Sequence, residues 1–139
     1  MGQGVPRGPL RTPADSPYCK VFVAGVGVRS ARGLLPLEPG VSFQEDEADV
    51  RGIDVEVRRN PDSSGEGTFD EDFLFWPVLI EIEAEDDSFL PGMIVLVTDL
   101  LHSLWRAGAP AVAACDFEDR LPWSGGIRCG SSDVGRGPR

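Results

Sequence analysis

The stretch from Phe73 to Pro122 constrains the fold more than any other part of the chain, because a strand, a capped amphipathic helix and a further strand can be read there in succession. The segment from Phe73 to Glu83 is rich in aromatic and β-branched residues, and from Val78 onward Val78, Ile80 and Ile82 alternate with Leu79, Glu81 and Glu83. That is the period of a strand with one buried face. Pro77 cannot donate to a ladder, so the strand either begins near Val78 or carries a bulge there. Asp86, Asp87 and Ser88 supply acidic and capping groups before Pro91. Leu90, Met93, Ile94, Val97, Leu100, Leu101, Leu104 and Trp105 then recur at helical spacing. The helix should stop at Gly108, with Pro110 just beyond. Ala111 to Phe117 reads as a strand of small and apolar residues that ends before Leu121-Pro122.

Two more strands stand upstream. Lys20 to Ala24 is short and apolar, bounded by Pro17 and Gly25, while Ile53 to Arg58 alternates strictly, with Ile53, Val55 and Val57 inward. Between them Ser30 to Leu37 can hold two helical turns, shortened by Gly33, Pro36 and Pro39. The order strand, helix, strand, strand, helix, strand predicts an α+β fold, the ferredoxin-like β-α-β-β-α-β sandwich, with four antiparallel strands and both helices on one face. A related sandwich without the first helix is the alternative. Val21, Val23, Val55, Val57, Ile80, Ile82, Val97, Leu101, Leu104 and Val112 are expected to share one core.

At 139 residues and 41% hydrophobic content the chain can bury one such core. Residues 1–17 are Gly, Pro and Arg with little apolar periodicity and residues 124–139 are Gly, Ser and Arg, so both read as disordered tails around a single domain at 18–123. No membrane span or secretion signal is expected, which points to a cytoplasmic protein. Cys19, Cys115 and Cys129 form no C-x-x-C pair and read as free thiols, two of them within strands. Lys20 is the single lysine against twelve arginines, the codon signature of a GC-rich genome.

Charge is unevenly placed. Net charge is −10, and Glu38 to Asp87 holds seventeen acidic residues against Arg51, Arg58 and Arg59, while the first thirty-seven residues are net basic. Such a field repels phosphate backbones, which argues against nucleic acid and in favour of a basic protein partner or a cation. The plainer reading is that the carboxylates keep a small domain soluble. On the expected fold the outward sheet face carries Lys20 and Phe22, Asp54, Glu56 and Arg58, Leu79, Glu81 and Glu83, with Asp116 and Glu118 from the last strand. RNA-binding modules of this fold use that face with basic and stacking residues, and the inverted charge argues against the role.

Motifs with chemistry are fragmentary. Gly25-Val-Gly27 follows a strand as a dinucleotide fingerprint does, but the third glycine and a second β-α-β half are missing, so a turn is expected and no cofactor. Asn60, Asp62, Ser64, Gly65 and Glu71 match EF-hand spacing imperfectly, between strands rather than helices, and read as a hairpin loop. His102 is the only histidine and falls on the polar side of its helix, so no catalytic residues are assigned. Cys115-Asp-Phe-Glu-Asp119 gathers three carboxylates and a thiol at a strand end, where paired acids could hold a divalent cation or act as acid and base. The plainer reading is a polar exit from a buried strand.

Cys115-Asp-Phe-Glu-Asp-Arg-Leu-Pro122 after Leu-Leu-His-Ser-Leu-Trp105, within Phe73 to Gly126, resembles a pattern recurring in a family of small uncharacterised domains from high-GC bacteria. The resemblance covers less than half the chain; it implies a compact domain and transfers no functional residue. Two classes of function follow from the residues. One is a non-enzymatic binding module of immunity or antitoxin type, with Asp54, Glu56, Glu81, Glu83, Asp116 and Glu118 facing a basic partner. The other is a small metal- or ligand-binding enzyme using Asp116, Glu118 and Asp119.

Overall fold

The computed structural model describes residues 16–63 and 72–126. Five strands, β1 (Tyr18–Val23), β2 (Glu47–Val50), β3 (Ile53–Arg59), β4 (Val78–Glu83) and β5 (Ala111–Cys115), form one antiparallel sheet in the order β2-β3-β4-β1-β5. Helix α1 (Val28–Leu34) follows β1, and helix α2 (Leu90–Arg106) joins β4 to β5. The fold is therefore α+β, with a five-stranded sheet where four strands were expected.

The additional strand is β2. Arg51 and Gly52 both adopt left-handed backbone conformations, φ 54° and 87°, the pattern of a two-residue hairpin turn, and this folds Glu47–Val50 back onto β3. The Asp49 carboxylate accepts the Gly52 amide at 2.9 Å and closes the turn. A side chain at Gly52 would have to adopt the strained left-handed backbone and push aside the Phe89 ring, which lies 2.7 Å from where its Cβ would stand.

Helix α2 follows its sequence signals closely. The Asp86 carboxylate accepts the Ser88 amide at 2.9 Å, a short turn at Asp87–Phe89 leads in, and Pro91 occupies the first turn. At the other end the Gly108 amide donates to the Trp105 carbonyl and the Ala109 amide to the Leu104 carbonyl, both at 2.9 Å, with Gly108 at φ 84°. This is the paired closure that a left-handed glycine permits. Met93, Leu96, Val97, Leu100, Leu101, Leu104 and Trp105 are buried. By length and composition Asp87–Arg106 could cross a membrane, contrary to the expectation that no stretch could, but these side chains pack it on the sheet as a core helix.

Helix α1 spans Val28–Leu34 rather than 30–37, because Pro36 forces the preceding Leu35 into extended backbone, ψ 136°. It buries Ala31, and the Leu34 carbonyl at its end accepts the Ser103 hydroxyl of α2. Both helices contribute to one cluster with Val21, Val23, Val55, Val57, Ile80 and Ile82, all 0% exposed. One expected member belongs elsewhere. Val112 is buried with Phe22, Ala24, Trp76 and Leu79 in a second cluster on the opposite face, since it pairs with Phe22 across the β1–β5 ladder. The core-facing positions of β5 are Ala111 and Ala113.

Strand β5 also ends earlier than expected, at Cys115. Asp116 and Phe117 make a turn, and a short 3-10 turn at Glu118–Arg120 follows. Asp116 and Glu118 are therefore not strand residues and do not extend the outward face of the sheet. Around the domain, Ser16 and Pro17 are buried and Gly125 lies against β5, where an added Cβ would meet the Ala113 carbonyl oxygen at 2.5 Å. The rest of the two expected tails, residues 1–15 and 127–139, lies outside the described residues.

Candidate acidic binding face

The face of the sheet turned away from the helices divides in two. Cross-strand register sets Glu47 opposite Glu56 and Glu56 opposite Glu81 in one row, and Asp49 opposite Asp54 and Asp54 opposite Glu83 in the next. These rows bring six carboxylates onto the β2-β3-β4 end of the sheet. The β1 neighbours of the rows are Lys20, opposite Glu81, and Tyr18, opposite Glu83. The following row, Arg58, Leu79, Phe22 and Val112, turns apolar, and here the chain covers its own sheet. Phe73 stacks at 5.4 Å from the Phe22 ring and 6.4 Å from Trp76, which is fully buried.

Asn60 holds that cover in place. Its side-chain amide donates to the Leu74 carbonyl at 2.9 Å and the Trp76 carbonyl at 2.7 Å, and its side-chain oxygen accepts the Asp62 amide at 3.1 Å. Asn60 is 3% exposed, and its polar atoms serve the loop. As the first position of the EF-hand-like spacing it is thus a clamp; the positions from Ser64 to Glu71 lie outside the described residues.

Within the acid rows the carboxylates are not equivalent. Glu81 accepts the Tyr18 hydroxyl at 2.5 Å and the Arg58 guanidinium at 2.8 and 3.1 Å. Burial alone would raise its pKa, but the hydrogen bonds from Tyr18 and Arg58 outweigh that and hold it below the ordinary value. The Tyr18 hydroxyl is pushed up by partial burial and by its bond to Glu81. Asp54 moves the other way. Its pKa is raised by burial and then by Glu47, Glu83 and Asp49 around it. Glu56 is raised by burial and by Glu81, Glu47 and Asp46, against the relief that Arg58 gives at 3.8 Å. Among these carboxylates Asp54 and Glu56 carry the raised values, Glu56 in spite of Arg58, and a cationic group beside them would favour their ionised forms.

Of the residues expected to bind a partner, Asp54, Glu56, Glu81 and Glu83 share this face, and the structure separates Asp116 and Glu118 from them. Glu118 accepts the Cys115 amide at 2.9 Å, satisfying a backbone donor on the β5 edge. Asp116 and Asp119 line a shallow groove of about 200 Å3 with Tyr18, Asp87, Phe117 and Arg120. Among the described residues no three Asp, Glu, His or Cys side chains converge as metal ligands. His102 lies half-buried on α2 with its ring 5.9 Å from Trp105. Gly25, at φ 81°, turns the chain out of β1, and Gly27 caps α1; the sheet around β1 is antiparallel, unlike the parallel sheet of a dinucleotide crevice.

Glu47 and Asp49 escape a reading of the sequence because a four-residue strand carries little periodicity. The available signal is the alternation of Glu47, Ala48, Asp49 and Val50 before Arg51-Gly52, where Ala48 and Val50 are buried and the two acids exposed. The chain matches no protein-family model, no curated protein and no solved structure.

Proposed function

We propose that this domain is a non-enzymatic protein-binding module, of immunity or antitoxin type, whose β2-β3-β4 face takes a basic protein partner. The observation carrying the reading is the pair of cross-strand carboxylate rows, Glu47-Glu56-Glu81 and Asp49-Asp54-Glu83, on the face without helices. Like charges set directly opposite across strands lower stability. A sheet needing only solubility could scatter the same carboxylates, so their alignment at a cost favours a role in recognition. We further infer a ferredoxin-like core with β2 as an added edge strand. The order β3-β4-β1-β5 and the crossings β1-α1-β3 and β4-α2-β5 support it.

The test compares the wild-type chain with a Glu47→Lys, Asp54→Lys, Glu56→Lys triple variant as bait in its native host. Glu81 is left intact because Tyr18 and Arg58 depend on it. Wild type should capture a basic protein, in a manner weakened by salt because steering between opposite charges is screened over about 8 Å at physiological ionic strength. The folded triple variant should lose it. Capture insensitive to both salt and charge reversal would refute the assignment. The rival metal-binding reading instead forecasts a thermal shift with calcium or manganese that Asp116→Asn with Asp119→Asn removes.

A further inference from the structure

Cys19 in β1 and Cys115 in β5 stand directly opposite one another in antiparallel register, and both are free thiols. The end of the same ladder fixes what kind of pair they form. The Ala24 amide donates to the Pro110 carbonyl at 2.9 Å, which makes Ala24 and Pro110 a hydrogen-bonded pair. Pair types alternate along an antiparallel ladder. Stepping back through Val23 opposite Ala111 and Val21 opposite Ala113, Cys19 opposite Cys115 is a non-hydrogen-bonded pair. The Cys115 amide agrees, since it is spent on the Glu118 carboxylate of its own strand's exit and not on β1. In such pairs the Cα atoms approach to about 4.5 Å, inside the span that a disulfide bridges. The Cys19 thiol is buried at this pair and donates to the Lys20 carbonyl, at 3.8 Å.

We propose that Cys19 and Cys115 form a redox-reversible modification site, closed to a cross-strand disulfide by a low-molecular-weight disulfide of the glutathione class. Their environments divide the roles. Cys115 is half-exposed, whereas Cys19 is 0% exposed, and the hydrogen bond to Cys115, followed by burial, raises its pKa well above the ordinary thiol value. Cys115 reacts first. Its thiolate attacks one sulfur of the small disulfide, a Cys115–S–S–R bond forms, and the departing thiolate takes up a proton. Cys19 then gives up its proton and attacks Sγ of Cys115. The bond to R breaks, and the second small thiol leaves protonated. Two protein thiols are oxidised by two electrons, and one small disulfide is reduced to two thiols. The product would staple the edge strand β5 to its neighbour β1 and so fix the exit toward Asp116 and Phe117.

Cys129 lies outside the described residues, so the test uses a Cys129→Ser variant beside the wild type. Both are equilibrated, folded, across a series of oxidised-to-reduced glutathione ratios. The expected result is loss of two hydrogens in the intact mass, a Cys19–Cys115 linked peptide in a non-reducing digest, and a melting temperature higher by several degrees that dithiothreitol restores. Adding Cys115→Ser should abolish all three. A stable Cys115–glutathione adduct with Cys19 still alkylated after unfolding, absence of any reaction, or a wild-type bond to Cys129 in place of Cys19 would each overturn the proposal.

Discussion

The helix-covered face of the sheet and the opposite face are built from the same strands by opposite rules. Under the helices Val21, Val55, Val57, Ile80 and Ile82 are wholly buried by side chains from α1 and α2, and β5 contributes Ala111, Ala113 and the partly buried Cys115 there. On the other face a continuous row changes character within two residues. Glu81 and Glu83 give way to Leu79 along β4, and Lys20 gives way to Phe22 along β1, where Phe73 and Trp76 cover the sheet. Strand periodicity is identical on both faces. What differs is the cover: helices on one side, and on the other the segment carrying Phe73 and Trp76, which leads into β4 and folds back over Phe22 of β1.

Truncating side chains on each face shows how strongly each cover is held. Leu101→Ala, at the centre of the helix-covered core, should cost about 2 to 5 kcal/mol in a denaturant titration, the cost of a buried leucine truncated beside neighbours that cannot fully collapse. A wild-type midpoint would refute that core. Asn60→Ala tests the cover of the opposite face. It leaves the Leu74 and Trp76 carbonyls without their donor, a loss of about 1 to 3 kcal/mol. The near-ultraviolet signal of Trp76 should weaken with it, whereas an unchanged spectrum and stability would show that the cover holds without the clamp.

Acid titration separates the carboxylates of the two rows. Glu81, lowered in the fold, adds stability that is present above its unfolded pKa of about 4.3 and is lost as pH falls through its folded value. Asp54 and Glu56, raised in the fold, act in reverse. Their contribution is complete below their unfolded values of about 3.9 and 4.3 and is lost as pH rises through the raised folded values. Melting temperatures from pH 7 down to about pH 2 should therefore respond oppositely in two variants. Glu81→Gln should remove a loss on acidification, and Asp54→Asn with Glu56→Gln should remove a gain. The same slope in wild type and both variants would contradict the division.

The smallest effect is the most telling for function. Glu47→Lys replaces a like-charge cross-strand pair with Glu56 by an opposite one, and should stabilise the domain by roughly 0.2 to 1 kcal/mol. A gain in thermal stability combined with weaker capture of a basic partner would mark the acid row as kept for binding. Neutral stability would remove the argument from its cost.

Much was legible locally. The acidic lead-in at Asp86, the glycine closure at Gly108 and the apolar stripe from Met93 to Trp105 act along one continuous segment, so α2 follows from local residues alone. The alternation of Ile53, Val55 and Val57, and of Val78, Ile80 and Ile82, likewise determined which residues of β3 and β4 share a side. Alternation carries no information on what covers that side or which strand lies next to it. It took the folded sheet to show that Glu47 and Asp49 extend the acid rows, that Val112 joins Phe22 and Trp76 beneath the Phe73 segment, and that Glu118 turns to the Cys115 amide. The same holds for Cys19 and Cys115, almost a hundred residues apart and brought face to face by the ladder between β1 and β5. The Val112 cluster and the Cys19–Cys115 pair join segments far apart in the chain and are fixed by pairing register and mutual burial, whereas the Glu47–Val50 strand and the Glu118 turn are local but too short to show a period.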